Sequence, residues 1–349
     1  MELLVFRPKE FQRWYNCSYY EIEEWNSHRI VRVGMGVVCL TIGMIYCAVY
    51  LPCMYIMTTK HFWKHSCYKL MFLLGIMDIL GLLVNTLSTG YLMINGDYYC
   101  TKPAFIYIAG CIGLGAWGGQ CMSCVILGFN RCVEFWNTQS LLSIFRGKAA
   151  LLWYMPIIAY FIAYACFSPP CLFSSMNMMW MQNPYYGFRS IKVDEGEYRN
   201  YFNAMNNIVM LVLLVFFNVF LIVSIRYRGQ KGSSHVNELQ KQVTIQAVLL
   251  CTAIMMPAGL YVYMDYFDIP DWLKLVNLFA WQFSNGMRCA IFIYTFLNKS
   301  IRIALFELIA PWTKKTSSVI ELTHITFSRQ APIFRRTKKA PISCSKSSK

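Results

Sequence analysis

Long uncharged, apolar runs recur along the chain, separated by short polar stretches. A helix needs about 20 mainly apolar residues to cross a bilayer. Seven runs meet that requirement: 33–57, 70–94, 103–130, 149–173, 200–225, 242–264 and 275–298. Two of them carry a single formal charge, Asp78 in the second and Arg288 in the seventh. The pattern predicts an all-α fold, a seven-transmembrane helix bundle. Residues 1–32 form a polar amino-terminal segment whose longest apolar run is Leu3-Leu4-Val5-Phe6. That run is too short for a signal-peptide core, so the first span is expected to direct insertion itself.

Composition agrees with a membrane protein. Of 349 residues, 57% are apolar and 14% charged, against about 25% charged in an ordinary soluble domain. Mean hydropathy is +0.40. Aromatic residues at 16%, with 20 Gly and 12 Pro, exclude collagen-like and low-complexity chains. The net charge of +15 would suit a nucleic-acid binder if it lay on one face. It lies instead between the spans. Segments 58–69, 131–148, 226–241 and 299–349 hold 21 Lys and Arg against 4 acids, whereas 1–32, 95–102, 174–199 and 265–274 hold 10 against 12. Basic residues stay on the cytoplasmic side. The amino terminus is therefore expected outside, the carboxyl terminus inside, and no nucleic-acid partner is expected.

The third span contains Gly110, Gly113, Gly115, Gly118 and Gly119. Gly115 and Gly119, four apart, are expected to share a face against a neighbouring helix. The same string matches a dinucleotide fingerprint, but no strand precedes it, so packing is the better account. Pro52, Pro156 and Pro257 fall within spans and are expected to bend them. Asp78 and Arg288 lie at similar depths from the inner side, which predicts an intramembrane ion pair, with two unrelated groups as the alternative. Residues 299–311 place Ile301, Ala304, Leu305, Leu308 and Ile309 on one helical face, as in a short amphipathic helix on the inner membrane surface. Residues 312–349 are a polar, basic tail, expected to be disordered and to attract anionic lipid.

Several strings together resemble a known family: Tyr15-Asn-Cys-Ser, Tyr50-Leu-Pro-Cys-Met-Tyr-Ile-Met, Ser66-Cys-Tyr-Lys-Leu-Met-Phe-Leu-Leu-Gly-Ile-Met-Asp78, Phe105-Ile-Tyr-Ile-Ala-Gly-Cys-Ile-Gly-Leu, Asn130-Arg-Cys and Gln282-Phe-Ser-Asn-Gly. Over residues 15–305 the chain resembles the nematode serpentine receptors of class T, a branch of the seven-helix G-protein-coupled receptors. The resemblance implies a chemosensory receptor in the plasma membrane of sensory neurons. Such a receptor binds a small external molecule and activates a heterotrimeric G protein. Asn130-Arg131-Cys132 then stands where rhodopsin-like receptors have Asp-Arg-Tyr, and Arg131 would lock or engage the G protein, with an ordinary snorkelling arginine as the alternative. The seventh span departs from the pattern, having Gly286-Met-Arg288 where the class has a Pro-containing segment, and no Asn-Pro-x-x-Tyr. Asp78 resembles the aspartate that holds sodium in rhodopsin-like receptors, but an adjacent Arg288 would replace the ion, so no sodium is expected.

A ligand pocket is expected among the outer halves of the third, fifth, sixth and seventh spans. Tyr107, Asn203, Asn206, Tyr261 and Trp281 combine aromatic walls with hydrogen-bonding groups there, although each alone also suits packing. Most of the 15 cysteines lie in spans as small apolar residues. On the outer side Cys17–Cys100 is the expected disulfide, with Cys100–Cys171 its rival. Asn16-Cys-Ser18 is an outer glycosylation sequon, while Asn298-Lys-Ser300 lies inside. His61 and His65 share a helix face and Cys121 and Cys124 are three apart, but neither pair is completed into a metal site, and no cofactor is expected. No nucleophile–base–acid arrangement points to an enzyme. The rival function is a seven-span transporter or channel with Asp78 and Arg288 as its polar site. Against it stand the odd span count and the absence of an inverted repeat.

Overall fold

The computed structural model describes residues 1–136, 139–188, 190–230, 238–267, 270–286 and 299–309. Its principal helices are α1 (Val33–Thr58), α2 (Ser66–Asn95), α3 (Pro103–Trp136), α4 (Tyr154–Phe167), α5 (Tyr201–Gln230), α6 (Glu238–Tyr266), α7 (Asp271–Gly286) and α8 (Lys299–Ile309). α1, α2, α3, α5 and the stretch Ala149–Phe167 are each long and apolar enough to cross a membrane. Two helices run past the apolar limits where their polar residues pair with one another, Ser66 of α2 with Asn130 and Glu134 of α3. α3 continues beyond Asn130 to Trp136, and α2 opens at Ser66.

α3 is the centre of the bundle and packs on α2, α4, α5 and α6. A helix that is apolar on all sides belongs in the interior, and α3 is buried on all sides for most of its length. Its glycines set how closely the neighbours approach. A Cβ on Gly115 would lie 2.9 Å from the Ala165 side chain, and one on Gly118 2.8 Å from the Tyr164 ring, both on α4. A Cβ on Gly119 would lie 2.7 Å from the Met77 sulfur and one on Gly113 3.0 Å from Val84, both on α2. The expected shared face of Gly115 and Gly119 is thus divided: four residues advance a helix by about 40° beyond a full turn, enough to present them to different partners. Gly36 and Gly90 make a similar approach between α1 and α2, each Cβ position 2.7 Å from the other's carbonyl oxygen.

Two helices depart from regular geometry. In α2 the segment Leu83–Ser88 is a π turn, the wider form that shifts the facing of residues beyond it. α2 then ends at Gly96, whose φ of +69° is the left-handed conformation that glycine adopts without strain. The fourth span is shorter than 149–173. α4 closes at Phe167, because Pro169 and Pro170 lack backbone donors and hold the residue before them extended. Pro156 lies in the first turn of α4, three residues after Trp153, where the span Ala149–Phe167 leaves regular helix between Leu152 and Tyr154. Pro52 and Pro257 do lie inside their helices.

After Pro170 the chain forms an antiparallel hairpin of β1 (Leu172–Ser174) and β2 (Met179–Met181), pairing Leu172 with Met181, Phe173 with Trp180 and Ser174 with Met179. It lies across one end of the bundle, and Tyr98 adds a bridge to Ser174. Residues 1–27 are not a free arm. Short helices at Glu2–Phe6, Pro8–Trp14 and Ile22–Ser27 bring Leu3, Leu4, Phe11 and Trp14 against the core. At the other end α8 buries Ile301 and lays Ala304 and Leu305 on the cluster around Phe62 and Tyr68, while Phe306 and Ile309 are exposed. The tail 312–349, the final part of the seventh span and Asn298 lie outside the described residues.

Gly110 offers the sharpest test of this packing. A Cβ there would sit 1.9 Å from the backbone oxygen of Cys171, an atom held by the hairpin. Gly110→Ala is expected to lower unfolding stability by about 3 kcal/mol, the upper part of the overpacking range. Gly259→Ala, with nothing within 4 Å of the new carbon, is expected to be neutral or stabilising. Thermal unfolding of the two variants in detergent measures the difference.

Candidate functional site

Three cavities follow one another inward from the hairpin and share their walls. The outermost, ≈ 130 Å³, lies between β2, Tyr198, Arg199, Tyr261 and Met264. Met179, Trp180 and Tyr261 also wall the second, which adds Asn85, Asn277 and Trp281. Asn85 and Trp281 continue into the third, bounded by Gly81, Gly113, Trp117, Gln120, Ser284 and Asn285. Asn85 reaches both inner chambers from the π turn of α2.

The aromatic walls are fixed by directional contacts. Trp117 and Trp281 stack with centroids 5.6 Å apart and planes at 16°, and Tyr261 packs on Trp281 at 5.3 Å. The Tyr261 hydroxyl donates to the Trp180 carbonyl at 2.8 Å. The Trp180 indole donates in turn to Thr89 Oγ1 at 2.9 Å. A polar chain anchors the stack from the other side. Tyr160 donates to Asn206 Oδ1 at 2.8 Å, Asn206 to Asn207 Oδ1 at 3.2 Å, and Trp117 also donates to Asn207 Oδ1 at 2.9 Å. Below the stack, Gln120 donates to Asn285 Oδ1 at 2.9 Å and to the Met77 carbonyl at 3.2 Å, joining α3 to α7 and α2.

Of the pocket residues expected from the sequence, Tyr261 and Trp281 line the chambers. Asn206 acts one step away, through Asn207 and Trp117. Asn203 is buried near the start of α5, its backbone amide donating to Asn200 Oδ1, and lines none of these three cavities. Tyr107 faces the amino-terminal segment instead, with the Phe11 ring edge-on at 4.9 Å and the Tyr15 ring at 5.2 Å. Asn85, Trp117, Gln120, Trp180, Asn277, Ser284 and Asn285 are not among the pocket residues expected from the sequence, although Ser284 and Asn285 belong to the Gln282-Phe-Ser-Asn-Gly string. For Asn85 and Gln120 the available signal was an isolated polar residue within an apolar run. For Trp180 there was none, since its position depends on the hairpin.

Asp78 is fully buried and accepts from the Tyr50 hydroxyl at 2.6 Å. Its expected partner Arg288 lies outside the described residues. Among the described residues no group of His, Cys, Asp and Glu is arranged to hold a metal.

At the far end of α3 from the hairpin, Asn130, Arg131 and Glu134 form a closed cluster. Arg131 is 4% exposed and pairs with Glu134 at 2.8 Å. It also donates to Asn130 Oδ1. Asn130 Nδ2 donates to Ser66 Oγ at 3.1 Å, and Ser66 donates to Glu134. Cys132, on another side of the helix, is only partly buried. The guanidinium is thus held by its own helix and the start of α2. A planar fork of donors suits such a site, since a second acceptor can take over its bonds without a change of protonation.

The hairpin end is tied down covalently and ionically. Cys17 is bonded to Cys100, while Cys171 lies apart with its sulfur 3.5 Å from the Tyr261 hydroxyl. Buried Asp97 meets Lys102 at 2.8 Å and Arg29 at 3.4 Å. Burial lowers the Lys102 pKa, but its bonds to Asp97 and Tyr91 outweigh this and raise it above the usual lysine value. Trp25, Tyr98, Tyr185, Phe188 and Tyr198 form a separate aromatic cluster over this end. Tyr198 donates to the Trp14 carbonyl at 2.9 Å, and burial pushes its phenol up to about 12, so it remains a donor throughout the physiological range. Cys17→Ser, Cys100→Ser and the double variant are each expected to lose about 2–4 kcal/mol of stability. The double variant should lose no more than either single one in the same unfolding assay.

A family model described as "Serpentine type 7TM GPCR chemoreceptor Srt" matches residues 2–318. Serpentine receptor class T-55 of Caenorhabditis elegans is 26% identical over 321 residues, covering 90% of this chain and 86% of that protein. The crystal structure of squid rhodopsin superposes with a TM-score of 0.55 at 12% identity, covering 86% of this chain and 89% of the other, a likeness of fold. With an α-helical bundle built around a central helix and a family match over nearly its whole length, the chain belongs to the Srt family of serpentine seven-transmembrane chemoreceptors.

Proposed function

We propose that this receptor binds a small external molecule in the aromatic chambers beneath the hairpin and activates a heterotrimeric G protein through the Asn130–Arg131–Cys132 end of α3. The observation that carries this reading is the division of α3 between two sites. Its middle supplies Trp117 and Gln120 to the chambers, and its end supplies the clamped Arg131. Tyr261 on α6 and Trp281 on α7 touch one another in the chamber wall. A ligand that parts them biases the packing of both helices on α3, and such interfaces switch between discrete arrangements. The Arg131–Glu134 pair then holds the inactive state, and its opening frees the guanidinium for carbonyls of the G protein.

In this reading the basic inner segments face the cytoplasm, the hairpin, Cys17–Cys100 and Asn16 lie outside the plasma membrane of a sensory neuron, and the basic tail lies against anionic lipid. Asn16 is exposed, and its Oδ1 accepts from the Ser18 amide at 2.9 Å. It is therefore open to glycosylation. Glycosidase treatment of protein from intact membranes is expected to shorten the parent and leave Asn16→Gln unchanged, and a tag at residue 1 should stain without permeabilisation.

Purified receptor in lipid nanodiscs, screened with small metabolites, is expected to accelerate guanine-nucleotide exchange on a heterotrimeric G protein. Arg131→Ala should abolish the acceleration and keep ligand binding. Ligand-dependent ion flux in vesicles without exchange would refute the receptor reading.

A further inference from the structure

The two inner chambers are lined by polar atoms that no other described residue satisfies. Among the described residues, Asn85 Oδ1, Gln120 Oε1, Asn277 Oδ1, Ser284 Oγ and Trp281 Nε1 are buried without a hydrogen-bond partner. All of them belong to residues on the walls of these two chambers. Asn85, Gln120, Asn277 and Ser284 are each at least nine-tenths buried. Buried polar atoms are ordinarily paired with protein or with trapped water. Water cannot satisfy them all: the inner chamber has no room for a water molecule, and the next has room for one at most. Five unpaired groups around a space that holds one water at most mark a collapsed site rather than a finished core.

The kind of occupant follows from the walls. Among the described residues lining both inner chambers none is formally charged. A charged ligand would meet no counter-ion among these lining residues, which is far costlier than burying a hydrogen-bonded neutral group. Asn85, Gln120 and Asn277 offer acceptor oxygens, Trp281 offers a donor, and Ser284 serves either way. The Trp117–Trp281 stack and Tyr261 provide flat faces. Gly81 and Gly113 leave the floor without side chains. The π turn carries Asn85 to the point where the two chambers meet. Entry from the outer cavity passes Trp180, which walls both it and the second chamber.

We infer that the chambers open together to take a compact, flat, uncharged molecule with both hydrogen-bond donors and acceptors, a primary amide on an aromatic ring being the simplest such shape, held by Asn85 and Asn277 against the Trp281 indole. This inference rests on the receptor reading for its biological meaning, while its test reads binding alone.

The test uses the full chain in lipid nanodiscs and four probes on one ring: benzamide, benzoate, benzylammonium and toluene. Benzamide is expected to raise the unfolding midpoint saturably, with each of the other three at least about tenfold weaker. Asn85→Leu and Asn277→Leu are expected to leave the unliganded midpoint unchanged or higher, since each removes an unpaired buried oxygen, and to weaken the benzamide response by about tenfold or more. Three results would each overturn the inference: no saturable benzamide response, an equal or stronger response to either charged probe, or a lowered unliganded midpoint in both leucine variants, which would make the asparagines structural. A benzamide response without nucleotide exchange keeps the site and removes the receptor reading. Exchange driven only by a charged ligand does the reverse.

Discussion

Inside a bilayer, helices gain little hydrophobic free energy by leaving lipid for one another, so association depends on close packing and on hydrogen bonds between helices. α3 meets that constraint through its glycines. Gly115 and Gly118 admit Ala165 and Tyr164 from one side, while Gly113 and Gly119 admit Val84 and Met77 from the other. Gly110 lets the backbone of Cys171 pass at a distance that no side chain would allow. That last approach fixes the hairpin over the end of α3, and the hairpin in turn places Trp180 above the chambers. The architecture of the site is therefore a consequence of how narrow one helix is.

The two ends of α3 treat polar groups in opposite ways. Around Arg131 donors and acceptors are closed on one another: Asn130, Ser66 and Glu134 exchange bonds within one cluster. Such a network is rigid until a competing acceptor arrives. Around Gln120 several groups are left open in a space that excludes water. A satisfied lock at one end and an unsatisfied chamber at the other suit a molecule whose resting state is stable but whose centre gains by being filled.

The hairpin end is held by ties between distant parts of the chain. The Cys17–Cys100 bond, the Asp97 ion pairs and the aromatic cluster of Trp25, Tyr98, Tyr185, Phe188 and Tyr198 bind residues 1–32, the turn after α2 and the segment after β2 into one cover. Charge is tolerated here because Arg29 and Lys102, the partners of buried Asp97, remain partly exposed, whereas in the interior each polar atom needs a partner. The amino-terminal segment takes Tyr107 for itself through Phe11 and Tyr15. This confines the chambers to the side of α3 facing α2, α6 and α7.

The sequence by itself determined the seven apolar spans and the placement of basic residues between them, because bilayer thickness and backbone hydrogen bonding leave only helices of about that length. It also carried the Asn130–Arg131 motif and the family resemblance, both of which are local strings. Only the tertiary structure decided which glycine faces which neighbour, because no more than about 40° of helix rotation separates Gly115 from Gly119. The same holds for the π turn at Asn85, which no periodicity records, and for the hairpin after Pro170, whose strands are too short to show an alternation. Tyr107 and Trp281 are both aromatic residues in apolar runs, and nothing local tells them apart. Their different surroundings, an amino-terminal helix for one and an unfilled polar chamber for the other, arise from contacts across the bundle.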